Sequence, residues 1–275
     1  MKPTRAKLTY SSYDDPPLKR AMMETIEFAT GRKKIERVYT ELYQLDLTYG
    51  EVWATALRKL NIGVSFDESQ LKKIPKDGPV VFIANHPFGV VDGLMLGHLL
   101  SLVRDRFCVL VNEVLAREPL LKDYLLPIDF RETREAMMTN IQTRKTSMER
   151  LKAGEALGIF PAGAVATAPK IWKRKAHDLE WKRFVAKLIQ TTQATVVPIY
   201  FSGQNSRLFQ VASNINASLR LSLLIHEMRN KRGKTHPIAI GDPILYEDIA
   251  HLKDRQALLN YLRSETFKLA RKGIR

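Results

Sequence analysis

Apolar positions along this chain follow two rhythms. Over residues 18–60, Met22, Ile26 and Ala29, then Ile35, Val38, Tyr39, Leu42 and Tyr43, recur at mostly three- and four-residue steps. That is the spacing of one helix face. Gly31 separates the two sets, and Phe28 falls off the first stripe. Beyond residue 60 the apolar residues gather into short runs between Pro, Gly and polar clusters. Runs at 63–66, 80–84, 107–111, 125–130, 156–160, 195–201 and 237–241 read as strands, several of them unbroken and therefore buried on both faces. Helical stretches at 94–103, 131–152, 178–192, 206–230 and 253–272 fill the intervals. Alternation of this kind predicts an α/β fold: a mixed, mostly parallel sheet flanked by helices, with an N-terminal helical extension. Residues 1–60 would be that extension and 61–275 the domain built on the sheet. Residues 1–17 are expected to be an extended arm.

Composition adds one constraint. The chain of 275 residues carries 44 Lys and Arg against 29 Asp and Glu, a net charge of +15. Such an excess suits an anionic partner: nucleic acid, an acidic membrane surface or phosphorylated substrates. No RNA-binding aromatic motif, zinc spacing or helix-turn-helix signature is present, so nucleic acid is not the expected partner. The interleaved Arg20, Arg32, Lys33, Lys34 and Arg37 make the first helices basic and amphipathic, suited either to packing on a core or to lying on an anionic bilayer. No run is apolar for the length a membrane span needs. The basic start, Met1 to Lys7, lacks the apolar stretch of a signal peptide. The single Cys108 excludes an internal disulfide framework and suits a reducing compartment.

Candidate chemistry centres on residues 79–93. The run from Val80 to Ala84 stops at Asn85-His86-Pro87-Phe88-Gly89, a sharp bend. Asp92 follows near the start of the next helix, where a carboxylate suits capping and the helix dipole. An imidazole and a carboxylate thus stand at one end of a sheet, where α/β proteins place their chemistry. A neutral His takes a proton from a hydroxyl near pH 7, and a carboxylate on its other nitrogen fixes the tautomer. No nucleophile of the protein's own lies nearby, since Cys108 sits inside a buried run. The pattern implies a base acting on a substrate hydroxyl. His98, His177, His226, His236 and His251 have no carboxylate at a suggestive spacing, and no metal-ligand cluster, P-loop or dinucleotide glycine fingerprint is present. Met95, Met137, Met138 and Met148 at helical positions read as core filler.

A second strand-end turn, Phe160-Pro161-Ala162-Gly163, joins the first. Pro127-Ile128-Asp129-Phe130 lies between them and Val197-Pro198-Ile199-Tyr200 after them. In this order and at these separations, the four segments resemble the glycerolipid acyltransferase superfamily, of the 1-acylglycerol-3-phosphate acyltransferase type, over roughly residues 60–245. Their spelling is most similar to the branch of lyso-ornithine lipid acyltransferases and the acyltransferase half of bacterial "putative hemolysins".

The resemblance implies an O-acyltransferase of phospholipid or aminolipid biosynthesis. His86 would be the general base and Asp92 its orienting partner. Asn85, Pro87, Phe88, Gly89, Arg131, Phe160, Pro161, Ala162, Gly163 and Pro198 would bind substrate, Pro198 closing the far wall. Backbone amides at the turn or helix start would hold the oxyanion. It implies no tightly bound cofactor. The acyl donor would be a thioester on coenzyme A or acyl carrier protein, the acceptor a lysolipid, and the setting the cytoplasmic face of an anionic inner membrane.

The chain departs from the family pattern at three points. The His–Asp spacing is one residue longer than usual. Ala162 stands where the family has Glu. Phe130 intervenes before Arg131, a slip that in a strand turns Arg131 to the other face. These changes point away from lysophosphatidic acid and toward an aminoacyl lysolipid of the ornithine or glycine kind. Lys170, Trp172, Lys173, Arg174 and Lys175, followed by Trp181, Lys182 and Arg183, form a basic cluster. It fits a membrane interface, coenzyme A phosphates, an acidic carrier protein or a merely solvated loop. A non-catalytic lipid- or carrier-binding module and a thioester hydrolase remain compatible with the sequence.

Overall fold

The computed structural model describes residues 9–11, 15–45, 47–48, 50–116 and 121–272. Most of the arm expected over 1–17 lies outside them. The chain opens with helices α1 (Pro17–Ala29), α2 (Arg32–Tyr43) and α3 (Glu51–Lys59). Gly31, at φ +114°, makes the break between the first two, a conformation open to glycine at little cost. Then come β1 (Ile62–Ser65), α4 (Glu68–Leu71), β2 (Val80–Ala84), α5 (Val90–Val103), β3 (Phe107–Asn112), α6 (Glu113–Ala116), β4 (Leu125–Ile128), α7 (Arg134–Lys152) and β5 (Ala156–Ile159). The rest is α8 (Arg183–Thr192), β6 (Thr195–Phe201), α9 (Arg207–Ile215), α10 (Ala217–Ser222), α11 (Leu224–Lys231), β7 (Lys234–Ile240), α12 (Tyr246–Ile249) and α13 (Arg255–Lys272).

The strands form one sheet in the order β1-β7-β6-β2-β5-β3-β4. All neighbours run parallel except β6 and β7. This is the mixed, mostly parallel sheet that the alternation predicts. β2 is central, and all five of its residues are buried. On one face Val80, Phe82 and Ala84 meet Trp53 of α3 and Met95, Leu96 and Leu99 of α5. On the other, Val81 and Ile83 meet Leu188 and Ile189 of α8 and Leu258 and Leu262 of α13. Trp53 is buried against α5 at Gly97, and Ile35 and Val38 of α2 pack against the same cluster. The second and third helices thus cover the core with their apolar faces.

Several boundaries differ from the sequence reading, each for a local reason. α5 starts at Val90, not residue 94, because Gly89 turns the chain at φ +98° and Asp92 caps the first turn. β4 ends at Ile128, and α7 begins only after Thr133, whose hydroxyl accepts the Ala136 amide. The stretch 206–230 is three helices, because Asn216 adopts extended backbone and its side chain caps α10 through the Ser218 amide. Met137 and Met138 are exposed on the outer side of α7 rather than core filler, whereas Met95 is fully buried.

Candidate active site

The site forms where β2, β5 and β6 end side by side. Because β2 pairs with β5 in the register Ile83↔Ile159, the residues following each strand emerge together. His86 and Phe160 stack there, ring centroids 4.0 Å apart and planes 19° apart. The flat contact fixes the plane of the imidazole. His86 Nδ1 lies 2.9 Å from Asp92 Oδ2, across the turn. That oxygen also accepts the backbone amides of Phe88 at 2.7 Å and Gly89 at 3.0 Å. The Asp92 side chain is fully buried while that of His86 is 16% exposed. Nδ1 is therefore committed to the carboxylate. His86 Nε2 makes no hydrogen bond among the described residues.

The longer His–Asp spacing thus does not separate the pair. Gly89 absorbs the extra residue with its positive φ, and Asp92 returns from the third position of α5. The cost falls on the amides. Those of Phe88 and Gly89 are turned onto Asp92, so of the amides expected to hold an oxyanion these two are already engaged.

The other expected residues divide by placement. Asn85 uses both side-chain ends on the backbone of Phe201, donating to its carbonyl at 3.0 Å and accepting its amide at 2.7 Å. It clamps the end of β2 to that of β6. Pro87 makes the bend. Phe88 is buried, with Lys231 Nζ 4.6 Å from its ring centroid and His236 edge-on at 5.3 Å. Phe160, Pro161 and Gly163 lie at the β5 turn beside His86, closed by the Gly163 amide on the Phe160 carbonyl at 2.9 Å. Ala162 is turned into the apolar layer with Trp181 and Val185. Pro198 lies inside β6 opposite Ile83, packed under Gly241, and is not brought to the strand-end cluster. Arg131 lies beyond the end of β4, so strand alternation does not set its direction. Its guanidinium is held by Asp129 instead, at 2.7 Å for the shortest contact.

Three contacts around His86 have no spacing signal in the sequence. The His86 amide donates to Asp178 Oδ1 at 3.1 Å, and the Trp181 indole donates to Asp178 Oδ2 at 3.2 Å. The His86 carbonyl accepts the Ala166 amide at 2.7 Å. Burial pushes the Asp178 carboxyl above its ordinary range, against the two donors that favour its charge. Trp181 is therefore buried and structural, not one of two interfacial tryptophans. Behind Phe88, Lys231 pairs with the buried Glu227 at 3.3 Å. Burial lowers its pKa, and Glu227 opposes that shift.

The chain matches the family described as Acyltransferase over residues 31–272. It is 30% identical over 211 residues to a lyso-glycine lipid O-acyltransferase of Phocaeicola vulgatus, covering 72% of this chain and 71% of that one. A protein of the same description from Bacteroides thetaiotaomicron is 29% identical over 210 residues, covering 72% of this chain and 73% of that one. Among solved structures, the 1-acyl-sn-glycerophosphate (LPA) acyltransferase PlsC from Thermotoga maritima superposes with a TM-score of 0.51 at 12% identity. That match covers 94% of this chain and 98% of PlsC, a likeness of fold. The motif set, the α/β sheet and the family match agree: this chain belongs to the acyltransferase family, within the glycerolipid acyltransferase superfamily, and is an acyltransferase.

Proposed function

We propose that the protein transfers a fatty acyl group from a thioester to the hydroxyl of a lysolipid, with His86 as general base. The observation that carries this reading is the buried Asp92 carboxylate 2.9 Å from His86 Nδ1, with the imidazole otherwise open toward the strand ends. Nε2 takes the proton of the acceptor hydroxyl while its oxygen bonds to the thioester carbonyl carbon. The tetrahedral intermediate collapses with cleavage of the carbon–sulfur bond. The imidazolium returns the proton to the departing thiolate, leaving an ester and a free thiol. Asp92 holds the neutral tautomer with hydrogen on Nδ1 and stabilises the imidazolium. The Phe160 face adds a favourable contact to that transient cation.

The donor is a thioester on coenzyme A or acyl carrier protein, and the acceptor a lysolipid with an aminoacyl head group. Two relatives described as lyso-glycine lipid O-acyltransferases support that acceptor class. Lysolipid acceptors reside in membranes, and the net charge of +15 suits the anionic cytoplasmic face of one. Among the described residues no helix is long and apolar enough to cross a membrane, so contact would be peripheral. The test offers radiolabelled acyl-coenzyme A and acyl carrier protein thioesters with lyso-glycine lipid, lyso-ornithine lipid and lysophosphatidic acid. A labelled diacylated amino-acid lipid is expected. Product from lysophosphatidic acid alone would overturn the acceptor assignment.

A further inference from the structure

We propose that residues 166–178 form a membrane-docking hairpin, its outward tip of Ile171, Trp172 and flanking cations seated in an anionic bilayer and its base holding the backbone of His86. The inference rests on the lysolipid reading above and names the surface through which that site meets its acceptor.

The base is built from three pairings. Thr167 and His177 exchange backbone hydrogen bonds at 3.1 and 3.0 Å, closing an antiparallel bridge. On one side of that bridge the Ala166 amide donates to the His86 carbonyl at 2.7 Å. On the other, Asp178 accepts the His86 amide at 3.1 Å. The two ends of the hairpin therefore grip the two backbone groups of one residue.

The tip is held in shape by α9 and the loop before it. The Arg207 guanidinium donates to the Lys173 carbonyl at 2.6 Å and to the Ile171 carbonyl. Gln204 donates to the Arg174 carbonyl at 2.8 Å and accepts the Ala176 amide at 3.0 Å. With its backbone satisfied on the protein side, the loop turns its side chains outward. Trp172 is 69% exposed and Ile171 44%. Lys170, Lys173, Arg174 and Lys175 are all exposed, and none forms an ion pair among the described residues. Lys170 Nζ lies 5.3 Å from the Trp172 ring centroid.

An exposed indole beside an aliphatic chain and four cations matches a headgroup region. The ring and alkyl groups enter the acyl boundary while the cations meet lipid phosphates. An acidic carrier protein would match the cations but not the outward indole and aliphatic side chain. Distance fits as well. Trp172 stands five residue steps beyond Thr167 at the bridge, a span of at most about 18 Å. A docked tip would keep His86 within reach of a hydroxyl at the membrane surface, so the acceptor need not leave the bilayer.

Vesicle co-sedimentation tests the proposal without relying on turnover. Wild type is compared with the pair Ile171→Ser/Trp172→Ala and the triple Lys173→Gln/Arg174→Gln/Lys175→Gln. The vesicles are phosphatidylcholine, alone or with about one-third phosphatidylglycerol. The triple is expected to weaken partition onto anionic vesicles about a hundredfold, roughly fivefold per cation. The apolar pair should weaken it about tenfold on both vesicle types. Acyl transfer to a short-chain, water-soluble lysolipid should stay at wild-type level in both variants, while transfer to vesicle-embedded acceptor falls with partition. Unchanged partition in both variants overturns the proposal. So does lost binding to immobilised acyl carrier protein with vesicle binding intact, which would make the cluster a carrier dock. Vesicle binding that depends on the tip, in a protein that acylates no lysolipid, would uphold the docking surface and remove the reaction assigned above.

Discussion

At the scale of single residues, Asp92 has more tasks than any other side chain in the site. One of its oxygens gathers His86 Nδ1 and the amides of Phe88 and Gly89. Asp92→Asn keeps the volume but loses the charge and the fixed tautomer, so turnover should fall about 10³–10⁴-fold with the fold intact. Circular dichroism beside steady-state kinetics checks this, and a fall under tenfold would show that His86 works without a carboxylate. Asp178 acts through backbone. In Asp178→Ala the buried His86 amide loses its acceptor, a cost of about 1–3 kcal/mol, which a urea titration reads. Its titration has a definite sign. Burial raises the Asp178 pKa in the folded state, so the native protein holds this proton more tightly than the unfolded chain. Its contribution to stability is largest below the unfolded value and falls as pH rises toward the raised one. Relative to Asp178→Asn, wild type should lose stability as pH rises through that window. Parallel urea midpoints for the two proteins would contradict the shift. His86 and Asp92 were legible in the sequence because they share one turn. Asp178 was not: it stands 92 residues from His86, at the head of a stretch that reads as a helix over 178–192 but becomes helical only from Arg183, and only the fold joins the two.

At the scale of elements, the unbroken run of β2 announced a strand buried on both faces, and the structure buries every residue of it. The start of α5 was less visible. Val90 and Val91 are β-branched, and Gly93 lies in the first turn, so neither propensity nor pattern marks a helix there. What starts it is Gly89 at positive φ and the Asp92 cap, features of geometry rather than composition. α5 also carries a sharp contrast between two glycines. A Cβ on Gly97 would stand 2.2 Å from the Trp53 ring, whereas one on Gly93 meets nothing within 4 Å. Gly97→Ala should therefore force α3 and α5 apart and destabilise by about 1–3 kcal/mol or more. Gly93→Ala should stabilise by about 0.5–1 kcal/mol. Thermal melts of the two variants should move in opposite directions. A Gly97→Ala protein as stable as wild type would show that Trp53 does not dock there.

At the scale of the whole molecule, the order of strands makes the site. No sequence pattern states that β5 lies beside β2 rather than beside β4, yet that adjacency alone stacks Phe160 on His86. The resemblance carried by the four segments supplied the arrangement, and the sheet order explains why turns so far apart in sequence meet. The residues that the sequence grouped into one pocket fall into two sets. His86, Asp92 and Phe160 stand together at the strand ends, while Asn85, Phe88, Ala162 and Pro198 are packed into the frame around them. The most direct test of the account is the rate of acyl transfer from a radiolabelled thioester to the lysolipid that wild type accepts, measured for wild type and His86→Ala. The account predicts a folded variant whose turnover is lower by about 10²–10⁴-fold, the span of a general base. A folded His86→Ala protein that acylates the same lysolipid at close to the wild-type rate would contradict it.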